Sequence, residues 1–218
     1  MRKDAQLNRE RILAAAREVY AEQGVEAPLD VIARRADVGN ATLYRRFPDR
    51  AALIEAVFQD QLTATVEAGE RARAAADAWE GLTGYLERIF EGLATDRGVT
   101  DLMTTPLPGV PSLARLHVHN AGTISALLAR CRAEGTARAD VSVEDLLFGL
   151  AALGRAAPAA EAAAPGSWRR QLALFLDALR ATDAHPLPGE PLGPDELAPA
   201  LSALHVRPQG GRGAGQLP

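Results

Sequence analysis

Apolar residues recur at intervals of three and four along most of the chain, and strand-like alternation is almost absent. That periodicity predicts an all-α fold. Over 8–23, Ile12, Leu13, Ala16, Val19 and Tyr20 share one face, and Gly24 is the stop. Pro28 suits the first position of a second helix, which turns Leu29, Ile32 and Ala33 inward and ends near Ala36. A third, very short helix is predicted from Asn40 to about Phe47, where Pro48 forces its end. Asp49 then caps a long fourth helix bearing Leu53, Ile54, Val57 and Phe58.

Beyond residue 60 the pattern continues over 63–76 and 79–93, the latter with Leu82, Leu86, Ile89, Phe90 and Leu93. Three prolines and a glycine within 104–111 predict a break, followed by a helix over 113–131. Ser142 and Asp145 have capping-box spacing and open a helix through Leu146, Leu147, Leu150 and Leu153. An Ala/Pro-rich loop is expected over 157–166, then a helix over 168–180 with Trp168, Leu172, Phe175, Leu176 and Leu179 in one stripe. Seven of the fourteen prolines and six glycines fall in the last 36 residues. Such a composition predicts a mostly disordered tail, with room for a short helix over 195–205 against a partner surface. The expected organisation is a small domain over 1–50, a larger helical domain over 51–182 and a tail over 183–218.

The chain has 218 residues, 47% hydrophobic and 24% charged, enough to bury a core without disulfides. Cys131, the only cysteine, excludes an intrachain disulfide, a cysteine-based zinc finger and a Cys-x-x-Cys redox pair. No run of 18 apolar residues occurs and the N-terminus leads into charged sequence, so no membrane span and a cytoplasmic location are expected. The net charge of −4 hides an asymmetry. Residues 1–50 carry ten basic against eight acidic residues; the other 168 carry fourteen against twenty. A mildly basic end on an acidic body suits a small DNA-reading module attached to something else. Arginine makes up 23 of the 24 basic residues, which reads as the codon bias of a GC-rich genome.

Residues 29–47 carry the chemistry. Two short helices joined by a brief glycine-containing turn form a helix-turn-helix pattern. Ala33 must be small where the helices cross, Val38 plugs the angle between them, Gly39 serves as N-cap, and Leu43 and Phe47 anchor the second helix. Asn40, Thr42, Tyr44, Arg45 and Arg46 are left outward, where a helix entering a major groove reaches base edges and phosphates.

The stretch 38–54, from Val-Gly-Asn-Ala-Thr-Leu-Tyr-Arg-Arg-Phe to Leu-Ile, closely resembles the signature of the bacterial tetracycline-repressor (TetR) family, and so does the lead-in over 11–24. The specific match covers about residues 8–58; beyond it the likeness lies in helix count, spacing and length. The resemblance implies a homodimer on double-stranded DNA, with a three-helix reading domain and a helical body holding an effector pocket and the dimer interface. By position, Asn40 and Thr42 face the groove, Tyr44 contacts a phosphate, Arg45 and Arg46 read bases or clamp the backbone, and Arg50 is a basic phosphate contact. Gly39 stands where the family commonly has serine, Ala41 where glycine is common, and Asp30 where many relatives are basic or polar. A carboxylate does not welcome a phosphate, so Asp30 is assigned to capping the second helix or steering Arg34. Arg34 and Arg35 remain either solvated surface or DNA contacts, and Arg2, Lys3, Arg9 and Arg11 either a phosphate-tracking arm or a frayed terminus.

The helical body carries no Gly-x-Ser-x-Gly, phosphate-binding glycine loop or His-Glu-x-x-His, so no enzymatic activity, metal or cofactor is expected. His117 and His119 diverge by roughly 200° on a helix and do not chelate one ion together, though one of them suits a pocket wall. By resemblance, Trp79, Phe90, Met103, His117 and Phe148 are candidate ligand-binding residues, each also an ordinary core residue. Together they point to a small apolar or aromatic effector, with 104–111 as its gate. The last two strong helices, through Leu146, Leu150, Leu172, Phe175, Leu176 and Leu179, are the expected dimer interface, with Gly149, Ala152 and Gly154 allowing close approach. The reading is a one-component regulator, a repressor released from a pseudo-palindromic operator by its effector. The alternatives are an activator or interaction protein without a small-molecule effector, and a small-molecule-modifying enzyme fused to the DNA module.

Overall fold

The computed structural model describes residues 2–104 and 107–204. Its helices are α1 (Arg2–Gln23), α2 (Leu29–Arg35), α3 (Asn40–Arg46), α4 (Arg50–Arg73), α5 (Ala78–Thr95), α6 (Arg97–Thr104), α7 (Pro111–Ala133), α8 (Val143–Ala163), α9 (Ser167–Asp177) and α10 (Pro194–Ala203). Among the described residues the only β feature is an isolated bridge between Ala137 and Arg180.

Local chemistry sets the helix ends. Gly24 follows α1 with φ +84°, a left-handed conformation that costs a residue with a Cβ roughly 1–2 kcal/mol. Asp49 accepts from the Ala52 amide at 2.8 Å and Asp77 from the Glu80 amide at 2.9 Å, each N-cap contributing about 1 kcal/mol. At α8, Ser142 Oγ accepts from the Asp145 amide at 3.0 Å and Asp145 accepts in return from the Ser142 amide at 2.8 Å. Pro28 is the N-cap of α2 and not its first residue; its carbonyl accepts from the Val31 amide at 3.1 Å.

Several elements differ from expectation. The helix expected to resume at 63 is continuous with the one capped by Asp49, giving the 24-residue α4. The short helix α6 was not expected, because Arg-Gly-Val-Thr-Asp offers no apolar stripe in sequence. The loop expected over 157–166 is mostly helix. Pro158 is exposed, so α8 forgoes one backbone bond on its solvent side and runs on to Ala163.

The apolar positions form two cores. One joins α1–α3 to the first half of α4 and to Leu102, Val110, Leu113 and Leu116; the other joins α5, α7, α8 and α9. Val99 of α6 packs against both, so α6 bridges the N-terminal helices and the body.

Two side chains pin the start of the tail. Arg138 donates to the Ala178 and His185 carbonyls, and Asp140 accepts from the Leu187 amide at 2.9 Å. The short helix expected over 195–205 is α10, packed on α8. Residues 205–218 of the expected disordered tail, and 105–106 of the expected gate, lie outside the described residues.

Candidate nucleic-acid interface and effector cavity

The helix-turn-helix is held from behind. Ala33 and Leu43 are 1% exposed and Phe47 4%, while half-buried Val38 donates its amide to the Ala33 carbonyl at 3.0 Å and closes the angle. Asp37 holds φ +53° in the turn, braced by Arg11 at 2.8 Å. Arg35 pairs with Glu18 at 3.0 Å and Glu22 at 3.2 Å, tying α2 to α1. These two carboxylates, Glu22 foremost, hold the Arg35 guanidinium above its ordinary pKa. Arg35 therefore braces the scaffold. Arg34 stays on the surface, paired with Asp30 at 3.3 Å, so Asp30 steers Arg34. The guanidinium of Arg9 lies 5.7 Å from the Phe47 ring centroid, tying α1 to the end of α3.

The outer face of α3 is uncovered. Asn40, Arg45 and Arg46 are exposed, Tyr44 is 52% exposed despite its size, and half-buried Thr42 accepts from Arg45 Nη2 at 3.3 Å. Arg50 is different. Its Nη1 donates to the Val25 and Ala27 carbonyls, the latter at 2.6 Å, clamping the α1–α2 turn to the first turn of α4. Sequence reasoning missed that role because backbone acceptors leave no mark in a sequence.

In the body, a cavity of about 350 Å³ opens between α5, α6, α7, α8 and α10. Met103 and His117 line it, as expected, with Ile89, Leu93, Asn120, Leu147, Leu150 and Ala151 among their neighbours. Trp79, Phe90 and Phe148 do not. Trp79 lies under the Arg180 guanidinium at 4.5 Å, Phe90 is fully buried against Trp168 at 5.9 Å, and Phe148 is half-buried on α8 away from the cavity. Pro194, Leu197, Ala198 and Leu201 of α10 complete the wall, a contribution that the Pro/Gly-rich tail concealed although Leu197 and Leu201 stand four apart. Desolvation lowers the His117 pKa, opposed by a hydrogen bond to the Leu102 backbone, so the ring favours its neutral form.

The expected dimer stripe is corrected. Leu146, Leu150, Leu172, Leu176 and Leu179 are at most 7% exposed inside the protomer, where they join α8 and α9 to α5 and α7. Phe175 is half-buried with its ring against Gly149, and Gly154 admits Leu93, so these glycines serve approaches within one chain. Phe148 and Ala152 are half-buried, and Ala156, Ala159 and Leu174 are exposed, Leu174 by 58%. By length and composition α8 could cross a membrane, and 28% of its most apolar window is buried within the protomer.

The family model "Bacterial regulatory proteins, tetR family" matches residues 12–57, and "Transcriptional regulator SbtR-like, C-terminal domain" matches 77–181. The chain belongs to the TetR family. The TetR transcriptional regulator SCO0520 of Streptomyces coelicolor is 29% identical, with TM-score 0.51 over 80% of this chain and 99% of that one. FadR of Bacillus subtilis, solved with stearoyl-CoA, has TM-score 0.60 over 81% of this chain and 99% of its own, but at 18% identity it shares the fold alone. A helix-turn-helix-type regulator of Staphylococcus aureus (strain USA300) is 43% identical over 63 residues. That match spans 28% of this chain and 34% of the relative, so the chain covers about a third of such curated relatives. Residues 12–57 of this TetR-family chain carry the family's helix-turn-helix region, and the names of its family and relatives describe regulators, not enzymes.

Proposed function

We propose that the chain is a repressor, binding a pseudo-palindromic operator as a homodimer and leaving it when a small apolar molecule fills the cavity of the helical body. The observation that carries the DNA-binding part is the face of α3. Tyr44, Arg45 and Arg46 project into solvent from a helix whose other side is locked into a core. Asn40 and Thr42 take the base edges, Tyr44 and Arg50 the phosphates, and Arg45 and Arg46 either. Arg50 serves through the guanidinium nitrogens that its inward clamp leaves over.

One such helix reads too few base pairs, and two related by a two-fold axis sit about 34 Å apart on successive major-groove faces. The dimer surface is the outer face of α8 and α9, through Phe148, Ala152, Ala156, Ala159 and Leu174. Its support is an apolar helix largely uncovered in one protomer, with Arg155 in mid-helix paired to Asp101 and so tied to protein. The cavity lies against α6, which touches both cores, so an occupant that shifts α6 changes the DNA-reading end. A coupling of about 1–3 kcal/mol changes affinity roughly 5- to 150-fold. A regulator of this kind works where the chromosome is, in the cytoplasm.

The test is a mobility-shift titration on DNA enriched from a random pool. Tyr44→Ala and Arg46→Ala lose the shifted band while remaining dimeric; an unchanged band for both overturns the assignment of α3.

A further inference from the structure

We propose that Asn120 is the polar anchor of the cavity, and that the effector is an uncharged, largely apolar molecule carrying a hydrogen-bond acceptor such as a carbonyl. This rests on the reading of the cavity as the effector site and specifies what fits it.

Asn120 is 1% exposed and lies on the wall of the 350 Å³ cavity. It also lines a void of about 40 Å³ between α4, α5, α6 and α7, which shares Ile89 and Met103 with the larger cavity. Its Oδ1 accepts from the Tyr85 hydroxyl at 2.6 Å, while Nδ2 is buried without a partner among the described residues. The orientation of the amide is set from behind. Tyr85 is 2% exposed, and near it Thr123 is fully buried with its Oγ1 3.3 Å from His119 Nε2; Glu70 lies 3.6 Å from the other ring nitrogen. Gly69 leaves the space in which this chain of groups sits, since a Cβ there would collide with His119 Nε2 and crowd the Tyr85 hydroxyl. Tyr85 has one proton to donate, and Asn120 Oδ1 takes it. The group left for a ligand is therefore a donor.

Leaving a buried amide donor unpaired costs about 1–3 kcal/mol, so an occupant that supplies an acceptor gains what a hydrocarbon cannot. An ionised occupant finds no compensation. Among the described residues no Lys, Arg, Asp or Glu lines the cavity, and His117, the one titratable side chain among those lining it, favours the neutral form.

The test is a ligand-observed NMR titration of the full chain with three probes of matched shape: 4-phenylbutan-2-one, butylbenzene and 4-phenylbutanoate. The ketone is expected to bind about tenfold more tightly than either of the others. Asn120→Leu, whose helical content is checked by circular dichroism, removes the preference for the ketone and keeps butylbenzene. Tyr85→Phe leaves Asn120 in place but frees its amide to turn, and weakens the same preference. Equal binding of ketone and hydrocarbon by the wild type, an unchanged preference in both variants, or tightest binding of the carboxylate overturns Asn120 as anchor and leaves the cavity standing as a ligand site. Failure of all three to bind overturns the cavity reading itself.

Discussion

Asp101 and Arg155 join the two halves of the molecule. Asp101 Oδ1 lies 3.4 Å from Arg155 Nη1 of α8, while its Oδ2 accepts from the Val25 amide at 3.1 Å, in the turn between α1 and α2. The Asp101 side chain is 5% exposed and that of Arg155 29%, and a Cβ at Gly24 would collide with Asp101 Oδ2. Removing the carboxylate strands a buried amide and a half-buried guanidinium. Asp101→Ala is expected to cost about 1–3 kcal/mol in urea unfolding, and Asp101→Asn less, because the amide oxygen still accepts from Val25. Equal losses in the two variants would remove the Val25 bond from the account.

The cause of the Asp96 shift makes a pH prediction. Burial foremost raises its pKa, partly offset by hydrogen bonds from the Val99 and Gly98 amides, with the Asp101 charge adding to the rise. A raised folded-state pKa gives stability that is fully present below the unfolded value, near 3.8, and is lost as pH rises through the folded value. Asp96→Asn keeps an acceptor for the α6 amides and carries no charge. The stability of the wild type relative to this variant is therefore expected to fall between pH 4 and neutrality, read as the difference in urea midpoints. A flat difference across that range contradicts the assignment.

The face of α8 and α9 proposed to meet a second chain is distinct from the face that builds the core. Leu172→Ala removes a side chain 2% exposed and is expected to cost about 2–5 kcal/mol of protomer stability. Leu174→Glu, at a position 58% exposed, is expected to leave the helical signal intact and yield monomers in sedimentation. A dimeric Leu174→Glu protein would move the interface elsewhere.

Truncation after Pro191 removes α10 and with it Leu197 and Leu201 from the cavity wall. The expected result is exposed apolar surface, seen as stronger binding of a hydrophobic dye and a lower melting temperature. DNA affinity is expected to stay the same, because α10 packs on α8 and the reading end is far along the chain. Lost DNA binding would give the tail a part in the interface with DNA.

The DNA-reading end was legible in the sequence because its constraints are local. A small residue at a crossing, a short turn and two anchors, one on a seven-residue helix and one just past its end, all lie within 29–47, and Ala33, Leu43 and Phe47 are buried as read. The cavity was only half legible, since its wall draws from five helices and no spacing rule links Met103, Asn120 and Leu201. The dimer stripe was misread for a related reason. An apolar row on α9 marks the side that is buried, and sequence does not say whether the same chain or another buries it. Leu172 and Leu176 face their own core, while exposed Leu174 sat between them unmarked. Capping chemistry carried over well at Asp49 and Ser142, but 157–166 was read as an Ala/Pro-rich loop although Pro158 lies on the solvent side of α8 and the helix runs through it.

The central claim is that two copies of α3 read one DNA site. Selection from a random DNA pool by the purified full-length chain, followed by sequencing at low salt, tests it most directly. The account predicts a pseudo-palindrome with half-sites about one helical turn apart, or a multiple of that, bound by two chains. A recovered site without two-fold symmetry, or no enrichment where phosphate contacts are strongest, would contradict it.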